Sequence, residues 1–402
     1  MFATLLLLLA APLSAPSDDA FVTWARGRMA PIDSFRSLDR VVANARVIGV
    51  GESVHEVDTF LTFRLQLLQD LVRRHRVTAL ALESGLPEAM ALDDYVHGRT
   101  STVDYNATLP GGFGSLAEIR HTMEWIRAWN LGEGKRHPVS VYGADLPNRS
   151  GSMVPALDRL EEFTRGIAEV KAVIDDIRPV ATQISGGWWR AASQKYDALP
   201  ADAKAKLASD AALLVERVNR HVQNDWARRL ALVVQQNETM LRLGAFASSG
   251  PRDQAMADNT LWILGRVAPR EKVVYWAHNA HVQRVPVKGP PLPPGSFTNA
   301  GMRFAAALGD RYCAIATAYG GPSIDNSTAT ESGSVDAALE KVATKPFLLM
   351  LSAKRPAAVN AWMSAERPIR FQTGYLIVPL GDAFDAIAYF DRVVKAARVK
   401  AE

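Results

Sequence analysis

The chain has 402 residues, 48% hydrophobic and 22% charged, a globular composition with ample length for a large core, which excludes a disordered or fibrous protein. Its 46 basic and 42 acidic residues are mixed along the sequence, the net charge is only +4, and no interleaved basic and aromatic pattern suits a nucleic acid, so that partner is not expected. The one cysteine, Cys313, excludes an intramolecular disulfide and reads as a small buried hydrophobe.

Residues 3–13 form an apolar run too short to cross a bilayer, and Ala15-Pro16-Ser17 suits cleavage before Asp18. This predicts a secretory signal peptide over 1–17 and an exported protein, periplasmic or extracellular, although no Lys or Arg precedes the run. A buried N-terminal helix is the competing reading. No other stretch is apolar for long enough to span a membrane, so no membrane partner is expected after signal removal. The sequence does not specify an oligomeric state.

Residues 18–45 read as a helical lead-in carrying Phe35, Leu38, Val41 and Val42. A strand over 46–50 opens into the first histidine cluster, Gly51-Glu52-Ser53-Val54-His55-Glu56. Leu61, Leu65, Leu68 and Val72 then lie on one face of a helix over 59–74, and a second apolar strand over 77–82 ends on Glu83. Strand, helix and strand of these lengths predict a βαβ unit with its two strands paired in parallel. Helices over 87–97 and 116–130 flank a Gly- and Pro-bearing loop at 109–115, and a strand over 139–142 leads out to Asp145.

The stretch 154–246 has almost no β signal. Leu157, Leu160, Ile167, Val170, Ile174 and Ile177 keep near-heptad spacing, broken at Gly186-Gly187-Trp188-Trp189, which predicts a helical insertion or lid over 154–250 rather than a coiled coil. The α/β core is thereby divided into 18–153 and 251–402. A helix over 252–267 precedes a strand over 272–277, which runs into the second histidine cluster, Trp276-Ala277-His278-Asn279-Ala280-His281. The Pro-rich segment 286–294 reads as an extended loop near the site. A helix over 300–308 and a strand over 311–317 follow, and strands near 346–351 and 374–378 complete the sheet. The expected fold is α/β: a mostly parallel central sheet flanked by helices, with an all-helical insertion.

In open α/β sheets ligands bind beyond the carboxyl ends of the strands. Glu52, His55, Glu83, Asp145, His278 and His281 all fall at such ends. Carboxylates and imidazoles gathered there suit either activation of water by a neutral histidine or binding of a divalent metal. Blander readings exist for each residue. A lone histidine at a strand end is often structural, Glu83 alternatively caps a helix or pairs with Arg64, Asp145 is either a turn residue or a substrate contact, and Trp188 and Trp189 are either packing or a substrate platform. There is no Gly-x-Ser-x-Gly elbow, no second histidine at zinc-protease spacing after His55-Glu56, no phosphate-cradling Gly loop and no activating group near Cys313 in sequence. Hydrolysis by activated water, with or without a metal, is what remains.

Gly51-Glu52-Ser53-Val54-His55, Leu82-Glu83, Tyr142-Gly143-Ala144-Asp145 and Trp276-Ala277-His278-Asn279-Ala280-His281 together resemble the erythromycin esterase family. So do Arg252-Asp253 with Met256, Asn259 and Trp262, and the segment from Gly301-Met302 to Arg311-Tyr312. The resemblance implies a deep cleft in an α/β core with helical additions. It also implies hydrolysis of a small-molecule ester or lactone, such as a macrolide, without a covalent acyl-enzyme; no metal or other cofactor is expected. By position His55 matches the general base of the family, and Glu52, Arg64, Glu83, His278 and His281 match the residues around it, the histidines as positioning or oxyanion partners. Asp145 is expected to contact substrate. The first motif departs from family members by Ser53-Val54 and by Glu56 after the histidine, which bears on specificity. A metal-dependent hydrolase using the same Glu/His cluster, and a non-catalytic protein binding haem or an envelope ligand, remain as alternatives.

Overall fold

The computed structural model describes residues 17–399 apart from 148–150, 188, 245–246, 291, 293–294 and 326–328. Most of the expected leader, Trp188 and three prolines of the 286–294 segment therefore lie outside the described residues. Ten strands occur in chain order: β1 (Met29–Pro31), β2 (Val47–Glu52), β3 (Val77–Gly85), β4 (Ser140–Asp145), β5 (Lys272–His278), β6 (Tyr312–Tyr319), β7 (Phe347–Met350), β8 (Glu366–Phe371), β9 (Gly374–Pro379) and β10 (Ala386–Phe390). Eight form one sheet in the order β1-β7-β10-β6-β2-β5-β3-β4, and β8 and β9 form a separate hairpin. Every pair from β10 to β4 is parallel, while β7 is antiparallel to both β10 and β1.

The central strands are buried on both faces, which is why they read as continuous apolar runs. Alternate residues supply two cores. Val47, Ala79, Val273, Tyr275 and Ala314 face the helices Ser249–Arg266 and Ala300–Leu308 through Met256, Ile263 and Phe304. Ile48, Val50, Leu80, Val274 and Ile315 face the helices Asp58–His75 and Ala117–Leu131 through Phe60, Leu67, Met123 and Ile126. The stretch 154–243 carries five helices, from Val154–Phe163 to Asp225–Leu243. They close on a core of their own that includes Leu157, Ile174, Leu214 and Val234. No helix among the described residues is long and apolar enough to cross a membrane.

Three expectations need correction. The strand near 374–378 exists as β9 but pairs only with β8, antiparallel from Glu366↔Pro379 to Phe371↔Gly374, and lies outside the main sheet. The sheet is completed instead by β10 and by β1, the latter inside what read as a helical lead-in. The βαβ unit is parallel, but β2 and β3 do not touch: β5 is inserted between them and pairs with both. That insertion builds the site, because its register sets Glu52 beside His278 and Leu82 beside Trp276. Gly51 permits the close approach. A β-carbon there would lie 2.1 Å from the Asn279 side-chain oxygen.

Candidate active site

Beyond Glu52 the chain leaves the sheet in a tight bend, and Glu56 takes a left-handed backbone with φ 61°. Three contacts fix that bend. The Ser53 amide donates to the Thr317 hydroxyl at 3.1 Å. The Ser53 carbonyl accepts from the Gln372 amide at 2.9 Å, at the tip of the β8–β9 hairpin. It also accepts from His278 Nε2 at 2.8 Å. Held this way, His55 turns Nδ1 onto Glu52 Oε1 at 2.6 Å. Its ring meets Phe113 and His278 edge-on, with centroids 5.6 and 5.2 Å apart.

The second oxygen of Glu52 faces Arg64 Nη1 at 3.1 Å. Arg64 is 4% exposed. Its Nη2 donates to the carbonyls of Val50, at 2.8 Å, and Ala277, so it bridges β2 and β5 as well as neutralising Glu52. Burial of the guanidinium pushes its pKa down, opposed by Glu52 and Glu83. Because Glu52 accepts the Nδ1 proton, the lone pair of neutral His55 sits on Nε2. No hydrogen-bond partner among the described residues takes Nε2, and the side chain is 19% exposed.

A second set centres on Glu83, at the end of β3. One oxygen accepts from the His278 amide at 2.9 Å and the other from Arg252 Nη2 at 3.0 Å. Burial opposes ionisation of this carboxyl, but His281, His55 and Arg252 outweigh it and hold the group well below the usual carboxylate range. Arg252 also clamps Asp145 through Nε, at 3.0 and 3.1 Å, and Nη2, at 2.5 Å. Asp145 is 1% exposed; both oxygens meet Arg252, and Oδ1 also accepts from the Leu146 amide at 2.8 Å. Glu83 does not pair with Arg64, the structural role the sequence left open for it, because Arg64 is committed to Glu52.

The two later histidines differ in state. His278 donates from Nε2 to Ser53, and its Nδ1 accepts from the Ala280 amide at 3.2 Å, capping the short helix Asn279–Val282. Burial, then the neighbouring His55, push it well below the ordinary histidine value, so it is neutral with both nitrogens in use. It positions the Ser53–His55 bend and has no free donor for an oxyanion. His281 places Nδ1 2.8 Å from Asp253 Oδ1 and Nε2 3.5 Å from Glu83. Burial opposes its charge, yet Asp253 and Glu83 raise it to about 10, so it is an imidazolium at neutral pH.

Arg252 and Asp253 carry these pairings, yet their sequence gives them no chemical role. An Arg-Asp pair in a helix is ordinary, and only the packing of helix Ser249–Arg266 on β4 and β5 aims the two side chains into the site. Asp253→Asn tests the charge on His281. Asn keeps the oxygen that accepts from the Ala300 amide at 2.8 Å but loses the counter-charge. Because the folded value is raised, the stabilisation from protonated His281 is complete below its unfolded value near 6.5 and is lost as pH rises through about 10. The wild type should therefore exceed the variant in denaturant stability most at acidic pH, with the difference fading by pH ~10. A pH-independent difference would show that His281 is not the charged group.

Two apolar pockets adjoin these residues. One, bordered by Glu52, Arg64 and Glu83, is walled by Leu61, Leu82, Leu109, Phe113, Ile119 and Trp276. The other, bordered by Arg252 and His281, is walled by Trp189 and Met240 from the helical insertion, by Val287, Leu292 and Phe297 from the Pro-rich stretch and beyond, and by Phe371 from the hairpin. Among the described residues no group of three or more His, Cys, Asp or Glu side chains is arranged to hold a metal ion. The nitrogens Nδ1 of His55 and of His281 are each bound to a carboxylate, and His278 has none to spare.

A family model described as erythromycin esterase matches residues 72–393. The cluster from Glu52 to Arg64 precedes that stretch. Escherichia coli erythromycin esterase type II is 25% identical over 399 residues, covering 90% of this chain and 92% of its own. Type I, from the same organism, is 26% identical over 313 residues, covering 73% and 74%. Among solved structures, a Bacillus cereus protein superposes with a TM-score of 0.80 at 19% identity, covering 96% of this chain and 100% of that one. A mutant erythromycin esterase in its open conformation gives 0.77 at 21% identity, covering 93% and 99%. The α/β fold, the histidine-bearing strand ends and the extent of the family match agree, and the chain belongs to the erythromycin esterase family.

Proposed function

We propose that the chain hydrolyses a carboxylic ester or lactone with water activated by His55. The observation that carries this reading is the 2.6 Å contact of His55 Nδ1 with Glu52, which leaves the basic nitrogen Nε2 without a partner among the described residues. His55 Nε2 takes a proton from water as the oxygen adds to the carbonyl carbon. Glu52 stabilises the resulting imidazolium, and Arg64 Nη1 holds its second oxygen at 3.1 Å. The His281 imidazolium, whose nitrogens face Asp253 and Glu83, would act on the developing oxyanion through its charge and not as a free hydrogen-bond donor. Collapse breaks the C–O bond, and the proton on His55 passes to the leaving alkoxide. No serine or cysteine takes part, so no acyl-enzyme forms.

The relatives named erythromycin esterases make macrolide lactones the first substrates to try. The decisive experiment is turnover of macrolactones and simple esters in ¹⁸O-labelled water, with and without a strong chelator. The reading expects one ¹⁸O in each acid product, no burst of alcohol at the start and no effect of the chelator. A stoichiometric burst, loss of activity on chelation, or no turnover across the panel would each overturn it.

A further inference from the structure

The parallel strands begin at the end of the sheet opposite His55. There, three basic segments far apart in sequence converge. Arg73-Arg74-His75-Arg76 closes the helix Asp58–His75, Lys135-Arg136-His137 lies in the loop before β4, and Arg270 lies in the turn before β5. Arg73, Arg74, Arg76, His137 and Arg270 line a groove between them, with Trp129 on its wall. Composition gave no hint of this, because each segment is short and only the fold brings them together.

The charges in the groove are unequally satisfied. Arg74 is held between Asp39 and Asp70, at 2.8 and 2.7 Å. Glu271, also in the lining, accepts from the Thr78 hydroxyl and the Ala268 amide, each at 3.0 Å, and has Arg46 beside it as counter-charge. Among the described residues no carboxylate pairs with Arg73, Arg76 or Arg270, and Glu133 is the remaining acid of the lining.

The backbone adds an independent observation. Arg76 ends its helix at φ 60° and ψ 40°, a left-handed position that glycine ordinarily fills because a β-carbon is strained there. Its backbone carbonyl accepts from the Lys272 amide at 3.0 Å, a bond glycine would make equally well. The Arg76 side chain is exposed and makes no hydrogen bond or ion pair with a described residue, so the strained position carries a guanidinium on the groove wall.

We propose that this groove binds a phosphate-bearing anion with more than one phosphate group. Arginine is the side chain best matched to phosphate oxygens, and here the unpaired guanidinium groups come from two different elements. Such an anion is either a soluble oligophosphate or the headgroups of a phospholipid surface. The groove lies at the end of the sheet away from His55, so occupancy and ester hydrolysis are separable.

Full-length protein is titrated at low ionic strength with inorganic triphosphate, and separately with phosphatidylcholine vesicles made with and without phosphatidylglycerol. Arg76→Gly and Arg270→Ala should each weaken binding about tenfold, as loss of a charge-assisted contact does, with ester hydrolysis unchanged. Arg76→Gly should keep or raise the melting temperature, since it relieves the left-handed strain. Binding of triphosphate assigns the site to a soluble anion. Binding only to phosphatidylglycerol vesicles assigns it to a membrane surface. Neither probe binding, or equal binding by wild type and the double variant, overturns the proposal.

Discussion

His55→Gln lowers kcat for ester hydrolysis by about 10²–10⁴-fold, the usual contribution of a positioned general base, and leaves KM nearly unchanged. The asymmetry follows from geometry. His55 uses Nδ1 to hold Glu52, and in the proposed mechanism Nε2 acts on water rather than on substrate groups that would occupy the two apolar pockets. Glutamine can still donate to Glu52, so the bend from Ser53 to Glu56 keeps its contacts to Thr317, Gln372 and His278. Steady-state kinetics beside a thermal melt checks this. Wild-type kcat in a folded variant would remove His55 from the reaction, whereas a large rise in KM alone would make it a binding residue.

The second large effect is at Arg64. Its pairing with Glu52 is buried, and breaking such a pair by removing one partner leaves a charge without compensation, at a cost of about 3–5 kcal/mol. Arg64→Met should therefore lower the unfolding free energy by about that amount, measured from denaturant midpoints. Activity should fall as well, because Arg64 also ties the Val50 and Ala277 carbonyls together across β2 and β5 and so fixes the Glu52 carboxylate that orients His55. Arg64→Met combined with Glu52→Gln separates the two consequences. A neutral pair removes the stranded charge, so most of the stability should return while activity stays low. Stability of the single variant within about 1 kcal/mol of wild type would show that the pair does not support the site, as for an exposed ion pair.

Much of this arrangement is legible in the sequence, for reasons that can be named residue by residue. Glu52, Glu83 and His278 each end an apolar run, and a polar group at such a place in a parallel sheet is exposed to the cleft or partnered. The insertion shows itself by losing β character over 154–246. Other features are invisible one residue at a time. Ala386–Phe390 is five apolar residues long, and such a run carries no period that separates a central strand from a helical turn. Tyr375-Leu376-Ile377-Val378 does read as a strand, but an apolar run says nothing about which sheet a strand joins. The pairing of Asp145 with Arg252 is hidden because Arg252 lies 107 residues away on a helix. The neutral state of His278 and the charged state of His281 follow from which nitrogen meets which neighbour, and that is tertiary geometry.

The place of β5 between β2 and β3 also dictates when the protein can become itself. During synthesis β2, β3 and β4 emerge early, yet β2 and β3 have no edge to share, because the strand that joins them follows the entire helical insertion. The insertion has its own core, so it can collapse while those edges wait. Closure of the sheet is then a late, long-range event that leaves unpaired strand edges exposed beforehand, the condition in which chains aggregate or need a chaperone. Until β5 slides in, Glu52 has no His278 beside it and Glu83 no His278 amide to accept from. A chain ending before β5 therefore lacks the strand that brings Glu52, Glu83 and His278 together.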